Sequence, residues 1–308
     1  MAHEKVVVVG VDGSEASLAA VDWAIAEAKQ TGWRLHVVCA YALPSFTAAS
    51  LDGGYAAMDD TAIQQGAQAV VDEAVARTAG SGLVVTSSLE TGDPAGVLVD
   101  LSREASMVVV GTRGGGGFTD RLLGTVSSAL PAHAHCPTVV VPVRVNRTFT
   151  PVRRIVVGVD GSESARVALR RAVDEAALWD AELTAVAAVP IATGAGAMAW
   201  LPATVDRDEV LADVREGLGV AVASAVGDRP VRVRQHALDG NAAALMAEFS
   251  TAVELVVVGS RGRGGFAGLL LGSTSQAVLH HAASPVMVVP SRVRDEGLGP
   301  ADVPWDRG

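Results

Sequence analysis

The chain opens with Val6-Val7-Val8-Val9-Gly10-Val11-Asp12-Gly13-Ser14-Glu15. The segment Val9–Glu15 returns letter for letter as Val157-Gly158-Val159-Asp160-Gly161-Ser162-Glu163. Four β-branched residues in a row are too few for a helix and suit a strand buried on both faces. Ser14 is a ready N-cap for a helix from about Glu15 to Gln30, with Leu18 and Trp23 on its apolar side. A buried strand, a glycine turn and a capped helix form the first half of a βαβ unit.

Further repeats lie downstream. Val108-Val109-Val110-Gly111-Thr112-Arg113-Gly114 returns as Val256-Val257-Val258-Gly259-Ser260-Arg261-Gly262, and Leu123-Gly124-Thr125 as Leu271-Gly272-Ser273. Pro137 and Pro142 return as Pro285 and Pro290. One offset, from Val9 to Val157, serves every pair, so no net insertion separates the landmarks. The period is too long for a solenoid, and each copy should be a domain with its own core. The expected domains are residues 1–145 and 152–293, joined through the polar, proline-punctuated stretch from Val143 to Arg153. Residues 294–308 read as a loosely ordered tail.

Within the first copy, strands are expected at Val6–Val9, Leu35–Cys39, Leu83–Leu89, Met107–Val110 and Thr138–Val141. A small-residue loop is expected from Pro44 to about Ala57, and a long helix from about Asp59 to Ala79. Asp93 caps a helix that Pro94 opens and that runs to about Arg103. A short helix should span Thr125 to His133. In the second copy the strands fall near Ile155–Val159, Leu183–Ala187, Val231–Gln235, Leu255–Val258 and Val286–Val289. Strands alternating with helices give parallel βαβ units with right-handed crossovers. The fold class is therefore α/β: two tandem Rossmann-like domains, each a five-stranded parallel sheet with helices on both faces. Periodicity alone leaves the order of the strands open.

Composition narrows the function. The 308 residues are 49% hydrophobic and 19% charged, enough to build two cores, and only 4% aromatic, so those cores are made of Val, Ala and Leu. A formal charge of −10 lacks the basic footprint of nucleic-acid binding. No apolar run reaches membrane-helix length, and Met1–Val6 is too short and too acidic for a leader. Cys39 and Cys136 form neither a disulfide framework nor a zinc spacing, and suit a reducing cytoplasm.

Open parallel sheets bind ligands beyond the C-terminal ends of their strands. Asp12 and Asp160 sit at such ends, after the first strand of each copy. So does the loop after the fourth strand, Gly111-x-x-Gly114, nine residues, Gly124-Thr125, and its partner Gly259-x-x-Gly262, nine residues, Gly272-Ser273. Glycines let backbone approach a ligand closely, and consecutive N–H groups form a concave anion nest. Thr125 or Ser273 then opens a helix whose N–H groups and dipole favour phosphate, with a hydroxyl for a phosphate oxygen or Mg²⁺. The plain alternative is a glycine-rich loop that binds nothing. A Walker A loop needs a lysine, and the only two are Lys5 and Lys29. A dinucleotide fingerprint should follow the first strand, where Gly10-Val11-Asp12-Gly13 does not fit. Gly262-Arg263-Gly264-Gly265-Phe266-Ala267 fits its letters but follows a fourth strand, and the first copy carries Thr119 at the last position.

These residues resemble the universal stress protein family in its tandem form, and Gly-x-x-Gly-(nine)-Gly-Ser/Thr looks like the motif of its ATP-binding branch. The likeness covers about residues 4–143 and 152–291. It implies strand order 3-2-1-4-5, with ATP and Mg²⁺ across the ends of strands one and four. Asp12 and Asp160 would lie near adenine and ribose, Gly111 and Gly259 beside the ribose. Gly114, Gly124 and Thr125, with Gly262, Gly272 and Ser273, would hold phosphates. Main chain near Ala40 and Ala188 would meet adenine, while Val126 and Ser127, with Thr274 and Ser275, would extend the phosphate end. Pairing through the fifth strand would make the halves an internal pseudo-dimer, with a homodimer of the whole chain beyond it.

Other residues stay with structure. His133, His135, His280 and His281 repeat no ligand set across the copies. Ser14 and Ser162 have no matching histidine for nucleophilic catalysis. Glu73 reads as a wet helix face, Trp23, Trp33, Trp179 and Trp200 as packing, and Gly194–Ala197 as a loop. Arg113 and Arg261 are either phosphate contacts or surface packing, as is Arg263, present in the second copy alone. The expected function is an ATP-binding regulator in the cytoplasm, not a fast enzyme, acting on an unidentified signalling protein. A slow ATPase or nucleotidyl or phosphoryl-transfer enzyme is one alternative, and a nucleotide-free scaffold the other.

Overall fold

A computed structural model describes residues 5–42, 60–112, 123–143, 147–190, 206–262 and 270–291. Contacts divide the chain into two compact units, with the split between Val145 and Asn146. The expected loops at 44–57 and 194–197, and the tail, lie outside the described residues.

In the first unit the elements run β1 (Val6–Gly10), α1 (Glu15–Thr31), β2 (Arg34–Tyr41), α2 (Asp60–Ala76), β3 (Val85–Thr91), α3 (Pro94–Leu101), β4 (Met107–Gly111), α4 (Thr125–His133) and β5 (Thr138–Val141). All pairings are parallel: β1 with β2 and β4, β2 with β3, β4 with β5. The order is thus 3-2-1-4-5, as the family likeness implied. Val6 to Val9 are fully buried, as are Met107, Val108 and Val109, so the centre of the sheet is covered on both faces.

Two glycines show which helix covers which face. A Cβ on Gly10 would meet Leu98 of α3 and Val110 of β4; one on Gly111 would meet Ala16 of α1. Neighbouring residues of a strand point to opposite faces, so α1 and α3 lie on opposite sides of the sheet. The caps are those the sequence announces. Ser14 accepts from the Ser17 N–H, and Asp93 from the Gly96 N–H, with Pro94 at the helix start. Trp23 is buried, and Cys39 and Cys136 are buried free thiols.

The second unit repeats this plan: β6 (Arg154–Gly158), α5 (Glu163–Trp179), β7 (Glu182–Val189), α6 (Arg207–Val226), β8 (Val233–Asp239), α7 (Ala242–Phe249), β9 (Leu255–Gly259), α8 (Ser273–His281) and β10 (Val286–Val289). Its order, β8-β7-β6-β9-β10, is parallel throughout. The helix Thr125–His133 and the fifth strands begin and end where the sequence places them, and the helix opened by Pro94 ends two residues early, at Leu101. The third strands do not: β3 and β8 each start and finish two or more residues late. Each pairs with one neighbour only within its unit, and such edge strands lack the apolar run that marks a buried one. Among the described residues no helix is long and apolar enough to cross a membrane.

Candidate functional site

The candidate residues gather at the C-terminal ends of the first and fourth strands of each unit. After β1 the chain turns through Gly13, at φ +78°, and the Val11 N–H donates to the Val38 carbonyl at 2.9 Å. That bond sets exposed Asp12 beside the end of β2, where Ala40 is half-buried. Asp12 Oδ1 accepts from the Ser14 N–H at 3.0 Å and from the Ser14 hydroxyl at 2.6 Å. The second unit matches it: Gly161 at φ +78°, Val159 N–H to Val186 carbonyl at 2.8 Å, Ser162 N–H to Asp160 Oδ1 at 2.9 Å. Ala188 occupies the place of Ala40. Burial and the Asp12 charge together push the Cys39 thiol pKa up.

The described ends of the loops after the fourth strands are bonded to each other. The Gly124 N–H donates to the Thr112 carbonyl at 2.9 Å, and the Gly272 N–H to the Ser260 carbonyl at 2.8 Å. Gly124 and Gly272 are the N-caps of α4 and α8, and neither helix start has a side-chain cap. A glycine cap brings no oxygen of its own, so the first-turn N–H groups remain open to an anion. Thr125 and Ser273, the first helical residues, are exposed, as is Thr274; Val126 is half-buried. Exposed hydroxyls beside an open helix start are the donor set that a magnesium-bound phosphate chain requires. Gly114 lies outside the described residues, as do Arg113 and Arg263.

The second unit shows how closely the parts meet. A Cβ on Gly262 would stand 2.6 Å from Asp160 Oδ2, so this carboxylate lies against the loop. A Cβ on Gly272 would touch Arg261 Cα at 3.4 Å and Gly262 N at 3.5 Å. Asp160, Gly262 and Gly272, far apart in sequence, form one surface.

Two pairs of candidates have structural roles that spacing did not disclose. Gly111 and Gly259 sit under the first turn of α1 and α5. A Cβ on Gly111 would lie 2.5 Å from Ala16 C, and one on Gly259 would lie 2.5 Å from Ser164 Oγ. Their lack of a side chain is needed for helix and strand to approach, whatever else they border. Ser127 and Ser275 are buried, and their hydroxyls donate into the loop: Ser127 to the Thr112 carbonyl at 2.8 Å, Ser275 to the Gly259 carbonyl at 2.6 Å. They brace the turn instead of extending the phosphate end. The Arg261 guanidinium donates to Ser291 Oγ at 3.0 Å, in keeping with surface packing. Among the described residues no group of His, Cys, Asp and Glu is arranged to hold a metal ion.

Fold and site together define a tandem α/β protein with two Rossmann-like units, each carrying a glycine-flanked loop and an uncapped helix start at its strand ends. The model of the universal stress protein family matches residues 4–142 and again 151–290, and the chain belongs to that family. A universal stress protein of Mycobacterium tuberculosis (strain H37Rv) is 32% identical over 317 residues, covering 96% of this chain and 97% of the relative. A second from the same strain is 34% identical, covering 92% and 95%. The crystal structure of a universal stress protein from Archaeoglobus fulgidus shares the fold, with TM-score 0.67 at 22% identity over 96% of this chain and 98% of that one.

Proposed function

We propose that each unit binds ATP with Mg²⁺ and that the protein is a nucleotide-dependent regulator, not a fast enzyme. One observation carries this reading: in both units the described ends of a glycine-rich loop meet at a glycine cap that opens an uncapped helix start, and in the second unit Asp160 lies against that loop. The phosphate chain would lie on the first-turn N–H groups of α4 and α8, in the favourable field of the helix dipole. The Thr125 and Ser273 hydroxyls would donate to phosphate oxygen or coordinate Mg²⁺, whose charge offsets that of the phosphates. Asp12 and Asp160 would accept hydrogen bonds from ribose hydroxyls. Main chain at Ala40 and Ala188 would face adenine.

Binding of this kind stabilises the folded state by about 2.7 kcal/mol at a free ligand concentration one hundredfold above Kd. Occupancy would bias conformation, or assembly with a second copy of the chain or a signalling protein. Neither loop sequence contains lysine, and no general base repeats between them, Asp120 of the first facing Gly268 of the second, so fast phosphoryl transfer is not expected. Two buried free thiols fit a reducing compartment such as the cytoplasm.

Isothermal titration of the full chain with ATP and Mg²⁺ tests the reading. Heat of binding and a raised Tm are expected; absence of both removes it. The double variant Gly114→Ala, Gly262→Ala should weaken binding, because a methyl on Gly262 would displace the Asp160 carboxylate. Turnover faster than about 1 s⁻¹ would place the protein among enzymes instead.

A further inference from the structure

The two cradles are braced by different atoms. In the first unit the described braces come from the α4 side alone: the Gly124 N–H and the Ser127 hydroxyl both donate to the Thr112 carbonyl. In the second, the α8 side holds two successive carbonyls, Ser260 through the Gly272 N–H and Gly259 through the Ser275 hydroxyl. A third brace comes from α5. Ser164 Oγ accepts the Arg261 N–H at 3.2 Å. Ser164 is 4% exposed, and its counterpart, Ala16, is 5% exposed. The helix backbone comes close in both units, 2.5 Å from a Cβ on Gly111 in one and 2.9 Å from a Cβ on Gly259 in the other. At that contact the units differ by a single oxygen atom, and alanine has nothing with which to accept the bond.

We infer that Ser164 is a positioning residue that holds the Arg261–Gly262 end of the second loop in place for binding and so makes the second unit the tighter of two unequal nucleotide sites. The inference rests on the ATP reading above. Its bond fixes the peptide plane entering Arg261. The next residue, Gly262, lies against Asp160 on one side and Gly272 on the other. A loop already ordered loses less conformational freedom when a ligand arrives, and the saving appears as affinity.

Titration of the full chain with ATP and Mg²⁺ should resolve two classes of site. Ser164→Ala should weaken the tighter class about three- to tenfold, the worth of one net hydrogen bond, and leave the other unchanged. Ala16 shows that alanine is tolerated at this place in the fold. The reciprocal Ala16→Ser should bring the weaker class toward the tighter. Hydrogen exchange on the ligand-free protein supplies a second readout: Ser164→Ala should speed exchange of the Arg261 amide while the Gly272 amide stays protected. Equal sites in the natural chain, an affinity untouched by Ser164→Ala, or unaltered exchange at Arg261 each overturn the inference while leaving ATP binding standing. Failure of the nucleotide reading looks different. No variant would then give heat or a Tm shift, although Arg261 would still lose protection, and the inference would fall with it.

Discussion

The two units share a motif skeleton but not an interior. Gly13 and Gly161 turn at the same φ, Gly111 and Gly259 admit the same helix, and Gly124 and Gly272 cap the same way. Between those points the polar groups have been replaced. In the first unit, buried His36 on β2 bridges Thr86 Oγ1 at 2.9 Å and Ser88 Oγ at 3.0 Å on β3. The matching places of the second unit hold Thr184, Arg234 and His236, with the last two exposed. Positions fixed by close approach of backbones tolerate one residue type. Positions fixed by side-chain pairing tolerate any pair that satisfies its partners.

The sharpest way to break the likeness is to add a methyl group at the strand ends. Gly111→Ala would set a Cβ 2.5 Å from Ala16 C and 2.6 Å from its O. Both are backbone atoms of a packed helix and cannot step aside. A loss of about 3 kcal/mol is expected, at the upper end for overpacking. Gly158→Ala makes the contrast, since its Cβ would touch only Met246, no nearer than 3.6 Å. That variant should stay within about 1 kcal/mol of the natural chain. Urea denaturation of both proteins checks the pair, and similar midpoints would refute the packing argument.

This contact also marks what the sequence can disclose. The repeat, the β-branched strands and the Ser14 and Asp93 caps are legible because each is a local signal. Strand order is not local, so it entered through resemblance, and the pairings then agreed with it. The polar edge strands β3 and β8 were misplaced because pairing, not hydrophobic burial, defines them. At the site, the glycine spacing singles out the loop, yet spacing cannot separate a glycine that would admit a ligand from one that admits a helix. The brace from Ser164 left one trace in the sequence, a serine opposite Ala16 directly after the matching segments Val9–Glu15 and Val157–Glu163. Its meaning needed the Arg261 amide beside it.

The buried histidine offers a second break, expressed through pH. Burial first, and then the Arg34 charge, lower its pKa from 6.5 to about 4. The folded state therefore keeps His36 neutral while the unfolded chain takes up a proton below 6.5. Stability should be intact above pH 6.5, fall as pH drops, and level off below about 4. The total loss is about 3 kcal/mol. After correction for intrinsic rates, amide protection in β2 should fall across that range more than in β7. His36→Gln should flatten the difference. Equal pH dependence of the two strands would show that His36 does not govern it.

The smallest effect concerns a feature the units share in kind but not in place. Each ties the helix before its second strand to the segment after the long helix that follows, by an arginine–aspartate pair. Arg77 makes two bonds to Asp22, Nε to Oδ1 at 2.6 Å and Nη2 to Oδ2 at 2.9 Å. Arg229 pairs with Asp174 in the second unit. Moved back by the repeat offset, Arg229 and Asp174 fall on Ser81 and Ala26, so both ends of the second clasp are displaced by the same four residues, about one helical turn. The same pairing therefore holds the same two segments in each unit, one turn further along in the second. Both Arg77 and Asp22 are more than two-fifths exposed, so water and salt screen the charges and the pair should be worth less than about 1 kcal/mol. Asp22→Asn keeps the size and one acceptor while removing the charge. A Tm lowered by a degree or two at low salt, with the difference vanishing at high salt, is the expected result. A loss as large as that of Gly111→Ala would mean that the helix clasp, and not the glycine contact, organises the unit.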